Sequence, residues 1–251
     1  MIDLKGKRAL VTGGSRGIGA ATALLLAECG ADVGIGYRNR EKDAQDVARK
    51  IAAFGVRVFA HASDLSESGG TDSLFARAKR EFGGLDIFVG NAAIWPFEDV
   101  PLAEMNDDRW HTTMRANLDS MFTTSRAAVR AISDHGHIVL VSSTAGQRGE
   151  AGHSDYAASR GAMISFVKSV AVEVASRDIS FNSVAPGWVD TEMAAASLVG
   201  DGRAKVERTI PLGRVATAED IAAPIVFLCS DRARHITGEI LNVNGGAVLC
   251  G

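Results

Sequence analysis

Three residues in this sequence have types and spacing suited to proton transfer: Ser143, Tyr156 and, four places further on, Arg160. From Tyr156 the apolar residues Ala157, Met163, Ile164, Val167, Val170, Ala171 and Val174 recur with helical spacing. Positions four apart on a helix share a face, about 6 Å apart along the axis. A phenol that exchanges a proton near neutral pH needs its pKa brought from about 10 toward 7, a shift of roughly 4 kcal/mol. One cation about 4 Å away supplies on the order of 4 kcal/mol at an effective dielectric near 20. Ser143 would offer its hydroxyl to the reacting oxygen. The same Tyr–Arg spacing also suits an ordinary amphipathic helix, so the pair gains meaning only from the elements that hold it.

Those elements begin with Ala9-Leu10-Val11, an apolar run followed by Thr12-Gly13-Gly14-Ser15-Arg16-Gly17-Ile18-Gly19 and an Ala- and Leu-rich helical stretch to Glu28. Strand, glycine turn and helix in that order place free N–H groups and the positive end of a helix dipole where a pyrophosphate can sit. The spacing G-x-x-x-G-x-G differs from the common dinucleotide fingerprint, and a tight turn without a ligand is the other reading. A second strand, Asp32 to Tyr37, closes a strand-helix-strand unit. Readers of NAD tend to place an acidic residue about twenty positions past the glycines, whereas a base there suits a 2′-phosphate. Here Tyr37 is followed by Arg38. With Arg16, that arrangement favours NADP(H) over NAD(H), against two solvated surface arginines.

The alternation continues with a helix over Glu41–Phe54, a strand over Val56–His61, a helix over Glu67–Phe82 and a strand over Leu85–Gly90. Asp64 with Leu65, and Asn91 with Ala92, follow the third and fourth strands at the carboxyl edge where open parallel sheets bind ligands; Asp64 and Asn91 could equally cap turns. Trp95 lies in the next loop, as a substrate wall or as packing under a long helix. That helix is expected over Asp107–Ile132. Asn117 sits inside it, and an amide competing for backbone bonds there suggests a local kink with a water site. A fifth strand, His137–Val141, delivers Ser142 and Ser143. His135-Gly136-His137 reads as turn punctuation, because no third ligand stands at metal spacing. A sixth strand, Ile179–Val184, leads into Pro186-Gly187-Trp188-Val189-Asp190-Thr191. Residues 190–210 suit a mobile substrate lid or a static surface. A helix over Ala218–Cys229 and a strand over Glu239–Val243 finish the pattern. The apolar tail Ala247-Val248-Leu249-Cys250 is expected to be buried, against this chain or another subunit.

At 251 residues, 46% hydrophobic, the chain can bury the core of one α/β domain spanning 1–251. A formal net charge of −3 without a basic block argues against nucleic acid. Cys29, Cys229 and Cys250 are widely spaced among apolar residues, which suggests reduced thiols in a cytoplasmic protein. No apolar run reaches membrane-spanning length, and no metal site is expected.

Taken together, Thr12-Gly13-x-x-x-Gly17-x-Gly19, Asp64, Asn91-Ala92, Asn117, Ser143, Tyr156 and Pro186-Gly187 resemble the short-chain dehydrogenase/reductase family, from Lys7 to Gly251, with Ser143 thirteen residues before Tyr156. The general look is similar to 3-oxoacyl carrier-protein reductases and sugar dehydrogenases. The resemblance implies a doubly wound Rossmann-type sheet of seven parallel strands with helices on both faces and a nicotinamide dinucleotide across its carboxyl edge. It implies Tyr156 as general acid/base, Ser143 orienting a carbonyl, Asn117 holding a relay water, Asp64 at the adenine and Pro186 to Thr191 beside the nicotinamide. It also implies a homotetramer or homodimer built on the long helices and the tail. Two departures stand out: the family's lysine four residues past the tyrosine is Arg160, and its Asn-Asn-Ala-Gly turn reads Gly90-Asn91-Ala92-Ala93. Guanidinium keeps the charge but changes the shape and cannot relay a proton.

The expected activity is interconversion of a small-molecule ketone and a secondary alcohol, in a pocket formed by Trp95, Trp188, Met193 and the cation Arg148. Arg160 supports a rival, a nucleotide-binding sensor or structural subunit that has lost catalysis. Carrier-protein reductases tend to show basic residues at the pocket mouth; Arg177 fits, whereas Asp134 stands where a base is expected.

Overall fold

Strand residues in this chain alternate between two separate cores. Ala9, Val11, Val33, Ile35, Ile87, Val89, Val139 and Val141 face one core, while Leu10, Phe88, Ile138, Leu140 and Phe181 face the other. A sheet apolar on both faces must be covered on both, which parallel strands joined by helical crossovers achieve. The computed structural model, which describes residues 2–250, shows that arrangement.

In chain order the elements are β1 (Arg8–Thr12), α1 (Gly17–Glu28), β2 (Asp32–Tyr37), α2 (Glu41–Ala52), β3 (Val58–Ala62), α3 (Gly70–Phe82) and β4 (Leu85–Gly90). Then come α4 (Asp107–Met114), α5 (Ser120–Ala131), β5 (Ile132–Val141), α6 (Ala145–Arg148), α7 (Ser154–Val174), β6 (Ser180–Pro186), α8 (Gly202–Glu207), α9 (Ala218–Leu228) and β7 (Ile240–Val243). The seven strands run in the order β3-β2-β1-β4-β5-β6-β7, and every pairing is parallel. Helices α1 and α9 share one core with the strands, and α3, α5 and α7 share the other. Strand order reverses between β1 and β4, so the glycine turn after β1 and Asn91 after β4 meet at the crevice where such sheets bind ligands.

Several boundaries differ from expectation. The helix expected over 107–132 is two helices joined by a π turn, Arg115–Asp119, and Asn117 lies in that turn. Strand β5 starts at Ile132 rather than His137, but its register slips between the Leu85–Ile132 and Ile87–His137 pairs. The slip holds the expected turn, with His135 at φ 63°. Helix α3 begins at Gly70 rather than Glu67. In the tail Val248 is buried beside Asn244, whose Nδ2 donates to the Val248 carbonyl (2.9 Å), while Leu249 is 89% exposed on the single chain. All three cysteines are free thiols, and among the described residues no helix is long and apolar enough to cross a membrane.

Helix α9 opens on a capping box: the Asp220 amide donates to Thr217 Oγ1 (3.2 Å) and the Thr217 amide to Asp220 Oδ2 (2.9 Å). Hydrogen bonding from Arg214, then from the Thr217 backbone, holds the Asp220 carboxyl down to about 2. A carboxyl depressed in the folded state stabilises it above its unfolded pKa of about 4, and that contribution fades as pH falls through its folded value. Asp220→Asn is therefore expected to lower unfolding free energy by about 1 kcal/mol at pH 7. Denaturant titrations of both proteins should converge near pH 2; a difference independent of pH would exclude the carboxylate as its source.

Candidate active site

The nucleotide side of the site is built on the turn after β1. Gly13 (φ 65°) and Gly17 (φ 55°) adopt left-handed backbone that side chains resist. Gly19 lies beneath the turn, where a Cβ would stand 2.3 Å from the Gly13 carbonyl oxygen and 2.5 Å from Asn91 Nδ2. Asn91 stitches the turn to β4, its Nδ2 donating to the Thr12 carbonyl (3.1 Å) and the Gly13 carbonyl (3.3 Å). Helix α1 has no side-chain cap at Arg16, which leaves first-turn N–H groups available to an anion. The missing Cβ atoms, the uncapped helix and three arginines fit a phosphorylated dinucleotide.

Gly13, Ser15, Arg16, Gly17, Ile18, Tyr37, Arg38, Asp64, Leu65, Asn91, Ala92 and Thr191 all line one cleft, as the sequence led us to expect. Asp64 uses its Oδ1 locally, accepting from the Ser66 hydroxyl (2.6 Å) and amide (3.0 Å). Those contacts, the hydroxyl first, hold its carboxyl below the usual range, with help from Arg38. Burial, then Glu41, raises the Tyr37 phenol.

The chemical side is a second pocket that shares Ile18, Asn91, Ala93, Thr191 and Met193 with the cleft. The cleft is the roomier, about 280 Å³ against about 140 Å³, as a dinucleotide beside a small substrate requires. Ser143, Tyr156, Arg160, Pro186, Gly187 and Val189 line the pocket with Trp95, Trp188, Met193 and Arg148. Tyr156 and Arg160 come from α7 and Ser143 from the end of β5. The two elements are stapled where Ser142 Oγ donates to the Arg160 carbonyl (3.2 Å) and where Gly146 of α6 packs against the Arg160 backbone too closely for a Cβ. Ser143 Oγ accepts from the Ala145 amide (3.1 Å), which leaves its proton to be donated elsewhere.

Arg160 is 2% exposed, with its guanidinium carbon 5.2 Å from the centre of the Tyr156 ring. Its Nη1 donates to the Val141 carbonyl (3.2 Å), while Nε and Nη2 are buried with no protein partner. Burial pulls the Arg160 pKa down, opposed by attraction to the Tyr156 phenolic oxygen.

Asn117 lines neither cavity. Its side chain braces the wall between them, accepting from the Ile94 amide (2.9 Å) and donating to the Ile94 carbonyl (3.0 Å) and Ser159 Oγ (3.3 Å). The π turn aims this amide across at the loop after β4. Trp95 is wall and packing at once: it lines the pocket, meets Trp188 edge-on (6.1 Å) and stacks on buried His153 (4.9 Å). Residues 190–210 pack into a small separate core, Ala194, Leu198 and Ile210 with Val215, against which Trp188 and Val206 lie.

Sequence reasoning missed Arg40 and Glu192 in the cleft and Glu150 at the pocket. Arg40, two positions past Arg38, carried a signal in its spacing; Glu192 carried none, because its partners lie far away in the chain. Arg177 was expected at the pocket mouth. Instead its Nε donates to Asp134 (2.8 Å), and Nη1 and Nη2 donate to the carbonyls of Val129 (2.8 Å) and Ile132 (2.5 Å). His135 Nδ1 lies 2.7 Å from Asp178 and His137 Nδ1 2.8 Å from Ser180, and among the described residues no group of three His, Cys, Asp or Glu could hold a metal.

Comparison with known proteins agrees with this geometry. The sequence profile of a family described as Enoyl-(Acyl carrier protein) reductase matches residues 13–248. The chain is 42% identical to the 3-oxoacyl-[acyl-carrier-protein] reductase FabG of Escherichia coli K12 over 250 residues, 99% of this chain and 100% of that one. A short-chain dehydrogenase of Burkholderia cenocepacia solved with NADP superposes with a TM-score of 0.90 at 38% identity, covering 97% of this chain and 98% of that one. A blue fluorescent protein from a metagenomic library, solved with NADPH, gives 0.92 at 32% identity, covering 98% and 100%. Sequence, sheet order and site geometry thus agree that the chain belongs to the short-chain dehydrogenase/reductase family of nicotinamide-dependent oxidoreductases.

Proposed function

We propose that this protein is an NADP(H)-dependent reductase of a free ketone, interconverting it with the secondary alcohol. The observation that carries the reading is that Ser143, Tyr156 and Arg160 line one pocket opening into the cleft of the glycine turn. Gly13, Ser15 and Gly17 would hold the pyrophosphate and Arg16, Arg38 and Arg40 the 2′-phosphate, while the nicotinamide supplies hydride when bound.

The chain's own residues do the rest. Ser143, accepting from Ala145, directs its hydroxyl proton to the substrate oxygen. Tyr156 gives its phenolic proton to that oxygen, and Arg160 places a permanent positive charge beside the phenolate left behind. Trp95, Trp188 and Met193 exclude water and offer an apolar wall. Asn117 fixes the backbone at Ile94 and so the shape of the wall.

A carrier-bound 3-oxoacyl substrate is the second reading, supported by the identity with the Escherichia coli reductase. Against it, Arg177 is spent on Asp134 and two carbonyls, so the surface beside Ile132 offers an acidic partner no free guanidinium from that residue. Purified native protein should consume NADPH with free cyclic ketones and 3-oxo esters, and carrier-protein thioesters of the same acyl groups should react no better. A preference above about tenfold for the carrier-bound form, more than 1.4 kcal/mol, would transfer the assignment to the second reading. Tight NADPH binding without turnover of either class would favour a sensor.

A further inference from the structure

Two carboxylates line the nucleotide cleft, and they are used differently. Asp64 is turned onto Ser66. Glu192 reaches into the cleft's arginines: its Oε2 accepts from Arg16 Nη1 and, at 3.2 Å, from Arg40 Nη2. The two guanidiniums suited to a phosphate therefore already carry an anion, and Arg38, the third in the cleft, stands beside them. Arg40 also lies 3.8 Å from Asp43 in the first turn of α2, a looser pairing. A phosphate brought to these donors must share them with Glu192 or displace it.

Glu192 is also placed to transmit that displacement. On one side Thr191 packs on the glycine turn, where a Cβ at Gly17 would stand 3.3 Å from Thr191 Cγ2. On the other, Met193 and Ala194 line the substrate pocket, and the segment continues into the small core of Ala194 and Leu198. Backbone bonds within it are short-range, Ala194 N to Thr191 O (3.0 Å) and Ser197 N to Ala194 O (3.0 Å). Its Arg–Glu contacts are more than 40% exposed on every side chain, the kind of pair that competition reverses readily.

We propose that Glu192 is a latch that ties residues 191–198 to the 2′-phosphate site, and that a nucleotide 2′-phosphate takes Arg16 and Arg40 from it and releases the segment beside the substrate pocket. Glu192 thereby sets how strongly the protein prefers 2′-phosphorylated nucleotides. This rests on the NADP(H) reading above, extended from which nucleotide binds to what its phosphate moves.

The test uses the full-length native protein, Glu192→Gln and an Arg16→Ala/Arg40→Ala double variant, titrated with NADPH, 2′,5′-ADP and 5′-AMP. Glu192→Gln should bind NADPH and 2′,5′-ADP about three- to tenfold more tightly, as loss of two exposed ion pairs allows, and 5′-AMP within about twofold. The double variant should lose most of the native preference for 2′,5′-ADP over 5′-AMP, keeping only the part that Arg38 supplies. Hydrogen exchange supplies the readout that charge repulsion alone would not move. In the native protein 2′,5′-ADP should speed exchange at the Ala194 and Ser197 amides, 5′-AMP should not, and in Glu192→Gln neither ligand should. Equal affinity of native protein and Glu192→Gln for 2′,5′-ADP, or exchange over 191–198 indifferent to it, would overturn the latch while leaving NADP(H) binding intact. Failure of the native protein to bind NADPH at all would overturn both.

Discussion

Tyr156→Phe is expected to lower ketone turnover by about 10²- to 10⁴-fold, the range supplied by a positioned general acid, while leaving NADPH affinity within a factor of about two. The substitution removes one oxygen and keeps the ring, which is 8% exposed and packed beside Arg160. Backbone contacts at this position, such as Ser159 Oγ donating to the Tyr156 carbonyl (2.7 Å), are untouched. Tyr156 lines the substrate pocket and not the nucleotide cleft, so the loss should fall on kcat with a smaller change in KM. Steady-state kinetics with a ketone that the native protein reduces, beside a nucleotide titration, make the check. A variant within threefold of native turnover would remove Tyr156 from the acid role.

Arg160→Met should move activity and stability in opposite directions. A unit charge 5.2 Å from the ring centre is worth roughly 3 kcal/mol at an effective dielectric near 20, about two hundredfold in rate. Methionine fills similar length without charge, so turnover should fall by about that factor. Stability should hold or rise, because the guanidinium is fully buried with Nε and Nη2 lacking protein partners. Replacing buried charge by a well-packed apolar residue is commonly neutral or stabilising by about 1–4 kcal/mol. Denaturant unfolding and turnover on the same preparation decide the matter: a variant that unfolds more readily and also loses turnover would make Arg160 a structural residue first. Arg160→Lys beside it separates the readings of function, since activity gained only with lysine would favour the sensor.

The layered fold was legible because each strand announces itself by alternation and each helix by its apolar stripe, signals carried within a few residues. Ala9-Leu10-Val11 divides between two cores, and Tyr156, Met163 and Val167 are all buried along one helix, as periodicity alone requires. The nucleotide turn was legible for the same reason, its glycines and Arg16 being neighbours. What escaped is set by distance in the chain. Nothing near Glu192 marks it as the partner of Arg16, 176 residues away, and nothing near Arg177 says that Asp134 has claimed it. Asn117 announced an irregularity, but periodicity could not say that a π turn would resolve it, because the answer lies in the backbone of Ile94, in the loop after β4.

The π turn at Arg115–Asp119 bears on which changes of length this protein tolerates. Such a turn is what an α-helix becomes when it accommodates one additional residue, and an α-helix advances about 100° per residue. Deleting one residue here would restore a regular helix and swing Asn117 or Ser120 about a quarter-turn from its present heading. Surface loops absorb insertions and deletions by rearranging in solvent, whereas this stretch is read out in orientation. Between Met114 and Ser120 the number of residues is therefore as much a part of the site as their identity.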